Sequence, residues 1–372
     1  MIRADLHLSY TEIGLLIAVP LIVGSLVELP LGLVAGYGRR RNRLVLAGGI
    51  AFAGALAVTA FAHSFWVLLI GLVAFFPASG AFVSLTQAAL MDAAAGRHQQ
   101  RMAAWNLAGS AGAVAGPLLL AGVLVAGGSW RTAYLLLAWV ALATTVVAAG
   151  AGPARLPKGP AGDVGNPAED DDDGERSTVA EALRAVRDGQ VARWLALLQV
   201  IDLLLDVLTG YIGIYLVDVV HVSPALAAVA VAVRLGAGLV GDATWVVASR
   251  RLTGRTALLA SAIAACALYP AFLLLPWFGA KLAALAALSV VTACWYPIAQ
   301  AELYGSLPGR SGVAVFWSSA AGMAGAAGPL LVGLIAQQVG LTWALTGLAV
   351  TPVAVLAILP GAPGRPSRTV SS

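Results

Sequence analysis

Gln199, Asp202, Asp206, Thr209, Gly210 and Gly213 recur at helical spacing within a long apolar run. On a helix they form one stripe carrying two carboxylates, an amide and a hydroxyl beside small residues. A charge in the middle of a bilayer costs several kcal/mol unless it is paired or wet, so such residues are functional candidates. Two carboxylates one turn apart repel each other, and that repulsion is relieved when one of them takes a proton. A carboxyl group that binds and releases a proton is what proton coupling requires. The same stripe would also serve as a hydrogen-bond network locking its helix to a neighbour. Arg234 lies about ten residues into the next apolar run, roughly 15 Å deep at 1.5 Å per residue. Its expected partner is Asp202 or Asp206. There it would bind an anionic group, hold the charge state of the carboxylates, or act simply as their counterion.

Further residues suit neighbouring roles. Thr292, Tyr296 and Gln300 share a helical face, with Trp295 beside them. Aromatic and amide groups on a cavity wall fit an amphipathic organic substrate, although aromatics in membrane helices also serve packing. Glu28 and Asp242 lie toward the same end of their respective runs, the end at which the basic residues gather, Arg39, Arg40 and Arg41 among them. They read as gate contacts with arginines, or as caps of neighbouring helices. Gln87, Asp92 and Glu302 sit near helix ends, where reaching water is easy and a structural role is expected. Trp105 with Asn106, and Trp317 with Ser318, fit an interfacial aromatic belt.

The elements that must position these groups follow from composition. The chain has 372 residues, 60% of them hydrophobic and 11% charged, with a mean hydropathy of +0.88. A soluble domain carries roughly a quarter charged residues, so a soluble globular enzyme is excluded. Eleven apolar runs are long enough to cross a bilayer at about 20 residues each. They span 11–35, 44–62, 65–90, 104–127, 131–151, 192–217, 224–249, 256–277, 282–304, 312–337 and 341–360. Backbone groups in lipid must be paired within the segment, so the runs are helices. The expected fold is an all-α, polytopic membrane helix bundle.

Residues 152–191 break the pattern with Pro153, Pro157, Pro160, Pro167 and the acidic run from Glu169 to Asp173. This stretch buries no apolar area and reads as a solvated linker. It ends in a short amphipathic helix opened by the capping pair Thr178 and Glu181. Alternate loops, the linker and the C-terminal tail hold 18 of the 22 basic residues. The positive-inside rule therefore places linker and C-terminus in the cytoplasm and residue 1 outside, in a cell membrane.

Other chemistries lack their signatures. Cys266 and Cys294 lie in apolar runs, and His7, His63, His98 and His221 fall at span ends or in loops. No His-Glu-x-x-His motif or phosphate loop occurs, so neither a metal nor a nucleotide cofactor is implied. Gly309-Arg310-Ser311-Gly312 has the spelling of an intramembrane serine protease without a histidine after it. Nothing suggests nucleic-acid binding.

An internal repeat divides the chain. Gln87-Ala88-Ala89-Leu90 recurs as Gln300-Ala301-Glu302-Leu303, and Gly116-Pro117-Leu118-Leu119 as Gly328-Pro329-Leu330-Leu331. His7, Ser9, Gly24 and Glu28 match His221, Ser223, Gly238 and Asp242. The offsets stay between 212 and 214. Two parallel halves joined by a linker are the plan of the major facilitator superfamily. The chain resembles that family directly. Gly32-Leu33-Val34-Ala35-Gly36-Tyr37-Gly38-Arg39-Arg40-Arg41 is similar to the family's loop signature after its second helix, here without the aspartate and one residue shorter. Gly112 to Pro117 resembles the glycine-proline motif of the family's fifth helix, common in proton-linked exporters; Gly116, Pro117, Gly328 and Pro329 belong to this structural set.

The resemblance implies a secondary transporter working by alternating access as a monomer in the lipid bilayer, with a small-molecule substrate and a proton as partners. Proton-coupled export of a small amphipathic compound is the leading expectation. Uptake of a sugar or organic anion, and a transport-inactive paralogue, are the alternatives. The expected division is residues 1–151 with five spans, the linker 152–191, and residues 192–372 with six. Subtracting the repeat offset from the sixth span puts its counterpart before Met1, so the first helix of the fold is expected to be missing.

Overall fold

The structure, a computed structural model, describes residues 5–8, 10–34, 39–94, 96–150, 187, 189–308, 310–325 and 327–359. The amphipathic linker helix and the acidic run lie outside the described residues, as does Gly38. Every regular element among the described residues is a helix. The first half comprises α1 (Tyr10–Val34), α2 (Arg39–Ala60), α3 (Phe65–Ser79) with α4 (Leu85–Asp92), α5 (His98–Val125) and α6 (Trp130–Gly150). The second comprises α7 (Gly189–Asp218), α8 (Pro224–Ala248), α9 (Gly254–Leu274), α10 (Phe278–Thr292) with α11 (Trp295–Gly305), α12 (Ser311–Gly325) with α13 (Ala327–Val339), and α14 (Leu341–Gly347) with α15 (Val350–Ile358).

Nine helical legs among the described residues are long and apolar enough to cross a membrane. The other two predicted runs coincide with α1, which holds the shorter apolar stretch Val19–Leu31, and with the pair α12 and α13. Several helices begin earlier than the apolar runs do. The first turn of α2 is Arg39 to Asn42, and α5 starts at His98 rather than at 104. Arginine and glutamine are good helix formers, so winding continues past the edge of the apolar band.

The repeat is visible in the backbone. His7 and His221 hold matched positions, each just before a leg, and both adopt positive φ, 50° and 58°. A π-helical turn over Gly80–Ser84 separates α3 from α4, and α10 gives way to α11 at Ala293 and Cys294. These interruptions also fall at the repeat offset, and π-turns of this kind recur at functional sites.

The halves meet where α1 and α4 pack on α12, and where α5 packs on α8 and α11. The second half has one continuous core around α7, with Trp295, Tyr269, Phe272, Leu204 and Ile212 almost fully buried. The described part of the first half has three small clusters instead. Large apolar side chains such as Trp66, Val147, Leu274 and Trp277 are exposed on the outside, a surface suited to lipid and not to water.

Candidate functional site

At the arginine-rich end of the bundle, polar contacts tie the halves together. Arg41, at the start of α2, donates to Asp92 at the end of α4 at 2.7 Å and to Ser311 at the start of α12 at 3.0 Å. Ser311 donates in turn to the same Asp92 oxygen at 2.6 Å. Gln99, at the start of α5, donates to Glu302 of α11 at 2.6 Å and accepts from the backbone N–H of Gly254 at 3.0 Å. Further in, Asp242 of α8 accepts from Asn106 of α5 at 2.7 Å and from Ser110. All three sets join one half to the other, so this end is closed.

Two cavities lie deeper, with Tyr296 in the wall of both. The larger, about 390 Å³, lies between α1, α4, α7, α11 and α12 and is lined by Glu28, Gln87, Asp202, Gln300 and Tyr304 among others. No lysine, arginine or histidine lines it among the described residues. Its exposed rim, Leu21, Ile22 and Met323, lies on the side away from the closed end. Glu28 accepts from Ser84 in the π-turn. Gly80 lets α3 and α1 approach this closely, since a Cβ there would sit 3.2 Å from Glu28 Cδ. Asp202 makes no hydrogen bond or ion pair among the described residues. The smaller cavity, about 250 Å³, lies between α5, α7, α8 and α10 and is lined by Arg234, Asp242 and Thr292 amid leucines.

The expected contacts are redistributed. Arg234 forms no ion pair with Asp202 or Asp206; it donates to the Leu205 carbonyl at 3.1 Å, between the two acids, and remains within electrostatic range of Asp206. Thr209 donates to the same carbonyl, and Asp206 and Thr209 are exposed outside both cavities. Gln199 lies against α12 at Gly325, its amide oxygen buried without a partner among the described residues.

Glu28 and Asp242 do not pair with arginine either. Glu28 is six residues, about 9 Å, inside the end of α1, too deep for the cluster at residues 39–41, whereas Asp92 ends α4 at the level of Arg41. Arg40 is exposed, and the side chain of Arg39 lies outside the described set. Tyr296 and Gln300 line the larger cavity and Thr292 the smaller one, where its hydroxyl donates to Leu288 of its own helix. Trp295 faces the other way: it is fully buried and donates to Ser261 at 2.8 Å, so it belongs to the core. Gly112, Gly116 and Pro117 lie in α5, Gly32 in α1, and Gly328 and Pro329 in α13, where a Cβ on Gly328 would meet Leu203.

Ser110 and Tyr304 escaped the sequence reading, the first unremarkable in an apolar run and the second at the end of one. Asn106 was expected in an interfacial belt, whereas it donates to Asp242 across the halves.

The profile of the Major Facilitator Superfamily matches residues 1–308. The chain belongs to that superfamily. It is therefore a multi-pass membrane transporter and not an enzyme. Among solved structures it is similar to the fucose:proton symporter FucP of Escherichia coli (15% identity, TM-score 0.71, covering 94% of this chain and 90% of that one). It is equally similar to FucP in the outward conformation (16%, 0.71, 94% and 90%). It is also similar to the human organic anion transporter MFSD10, TETRAN (18%, 0.71, 93% and 83%). At these identities the likeness is one of fold. No curated protein sequence matches the chain.

Proposed function

We propose that this transporter exports a small amphipathic compound in exchange for protons, with Asp202 as the proton-carrying group. One observation carries the reading: Glu28 and Asp202, one from each half, line a single cavity closed at the arginine-rich end. A half-buried carboxylate with no partner among the described residues is stabilised by taking up a proton or a cationic ligand. Rocking the halves about such a site alternates its access between the two sides. The arginine-rich end faces the cytoplasm in this reading, with linker and C-terminus on that side of the cell membrane and the monomer as the working unit. Asp206 is exposed one turn away and tunes Asp202 through its charge. Vesicles with a fluorescent pH reporter test the coupling. Asp202→Asn together with Asp206→Asn is expected to stop substrate-driven proton movement; unchanged movement contradicts the assignment.

A second reading is favoured by Arg234, which lines the smaller cavity without a carboxylate within ion-pair distance among the described residues. It would receive the acidic group of an organic anion there.

A further inference from the structure

We propose that the cavity shared by Glu28 and Asp202 binds a small organic cation, a quaternary or protonated amine. This rests on the transport reading and specifies its substrate class.

The lining supplies formal negative charge from both halves and no positive side chain among the described residues. Gln300 and Tyr304 are each only 3% exposed, line this cavity, and make no hydrogen bond among the described residues. Polar groups of buried side chains are nearly always bonded in native structures, so two that open onto one cavity are free to bond a polar ligand there. The buried hydroxyl of Ser318, in the same wall, has no partner among the described residues.

Acidic groups alone would suit a metal ion, but the setting does not. No cluster of three or more metal-ligating side chains occurs among the described residues. Much of the remaining wall is aromatic or apolar, with Tyr296, Tyr304, Leu21, Ile22, Val315 and Met323. Aromatic faces attract a cation with an apolar coat, and attract it more strongly once desolvated. The volume of about 390 Å³ falls at the lower end of the range of small-ligand pockets, about 300–1,000 Å³.

The charge balance is simple. One proton leaves the Asp202 carboxyl as one monovalent cation arrives, so the cavity's net charge is unchanged. Arg234 lies outside this cavity, behind Tyr296, and does not compete with the ligand.

The test titrates the purified full chain with benzyltrimethylammonium, its uncharged isostere neopentylbenzene, and benzenesulfonate, while proton release is followed with a dye. The quaternary charge does not titrate, so any pH dependence belongs to the protein. The cation alone is expected to bind. Glu28→Gln and Asp202→Asn are each expected to weaken it about tenfold, a loss of one charge-assisted contact, with melting temperatures near wild type. If Asp202→Asn fails to fold, Glu28→Gln carries the test by itself. Binding of benzenesulfonate as tight as that of the cation, or cation binding unaffected in both variants, overturns the proposal. Cation binding without proton release upholds the substrate class and overturns the coupling reading, so the two failures are distinguishable.

Discussion

The two cavities on either side of Tyr296 share one wall, yet they differ in charge and in completeness. In the smaller, Asp242 is bonded by Asn106 and Ser110, Thr292 is bonded to its own helix, and Arg234 holds the Leu205 carbonyl. Its carboxylate is spent on holding α5 against α8. In the larger, Asp202, Gln300 and Tyr304 make no hydrogen bond among the described residues. Glu28 and Asp242 are repeat mates, and the duplication has diverged so that one acid latches the halves while the other, bonded within its own half by Ser84, remains on a cavity wall. The larger cavity thus holds a carboxylate, Asp202, with no hydrogen bond among the described residues, and the smaller holds none of that kind.

Several substitutions break or sharpen this contrast. The largest effect is expected from Asp92→Ala at the closed end. It leaves Arg41, whose side chain is 6% exposed, without its carboxylate, and removing one partner of a buried pair costs about 3–5 kcal/mol. The melting temperature should drop sharply, and a cysteine placed at Ser311 should become reactive from the arginine-rich side. Tyr296→Ala removes the wall between the cavities. A loss of about 2 kcal/mol is expected, below the range for fully buried aromatic truncations, along with binding of bulkier ligands in a thermal-shift screen. Arg234→Gln removes a cation that has no ion pair among the described residues. The melting temperature is expected to stay level or rise by an amount worth under about 1 kcal/mol, whereas a steep fall would show that Arg234 is tied to the acids after all.

The smallest effect lies away from both cavities. Asp5 accepts from Arg131 at 2.5 Å and from Trp130 at 3.2 Å, and the hydrogen bond to Arg131 holds its carboxyl below the usual range. A depressed carboxyl contributes stability above its unfolded value near pH 4 and loses it as the pH falls through the folded value. Asp5→Asn should therefore differ from wild type in melting temperature at neutral pH and converge with it in acid. The group is fully exposed, so the difference is slight.

Much of the fold was legible because the bilayer imposes a simple rule. Long apolar runs must be helices, and a constant repeat offset must be a duplication; His7 and His221 even share a backbone conformation. The site was legible only as a set of residue types. Asp202, Tyr296 and Gln300 line one cavity, but periodicity on one helix cannot say which neighbour a face meets. That is why Trp295, next to Tyr296, went to the cavity on sequence and to the core in space. Partner assignments suffered most. Charge alone matched Arg234 with Asp202 or Asp206, whereas a long guanidinium reaches a backbone carbonyl just as well. Lys281 shows the same limit. It falls between two of the apolar runs, yet it is buried and donates to the Phe272 and Leu273 carbonyls at the end of α9, at 3.1 and 2.7 Å.

The proposed proton coupling through Asp202 is read out by two modes in proteoliposomes: uptake of a labelled substrate driven by a pH gradient, and exchange of that substrate at equal pH on both sides. Asp202→Asn is expected to keep exchange and lose gradient-driven uptake. Gradient-driven uptake persisting in that variant at the wild-type rate would show that Asp202 does not carry the proton.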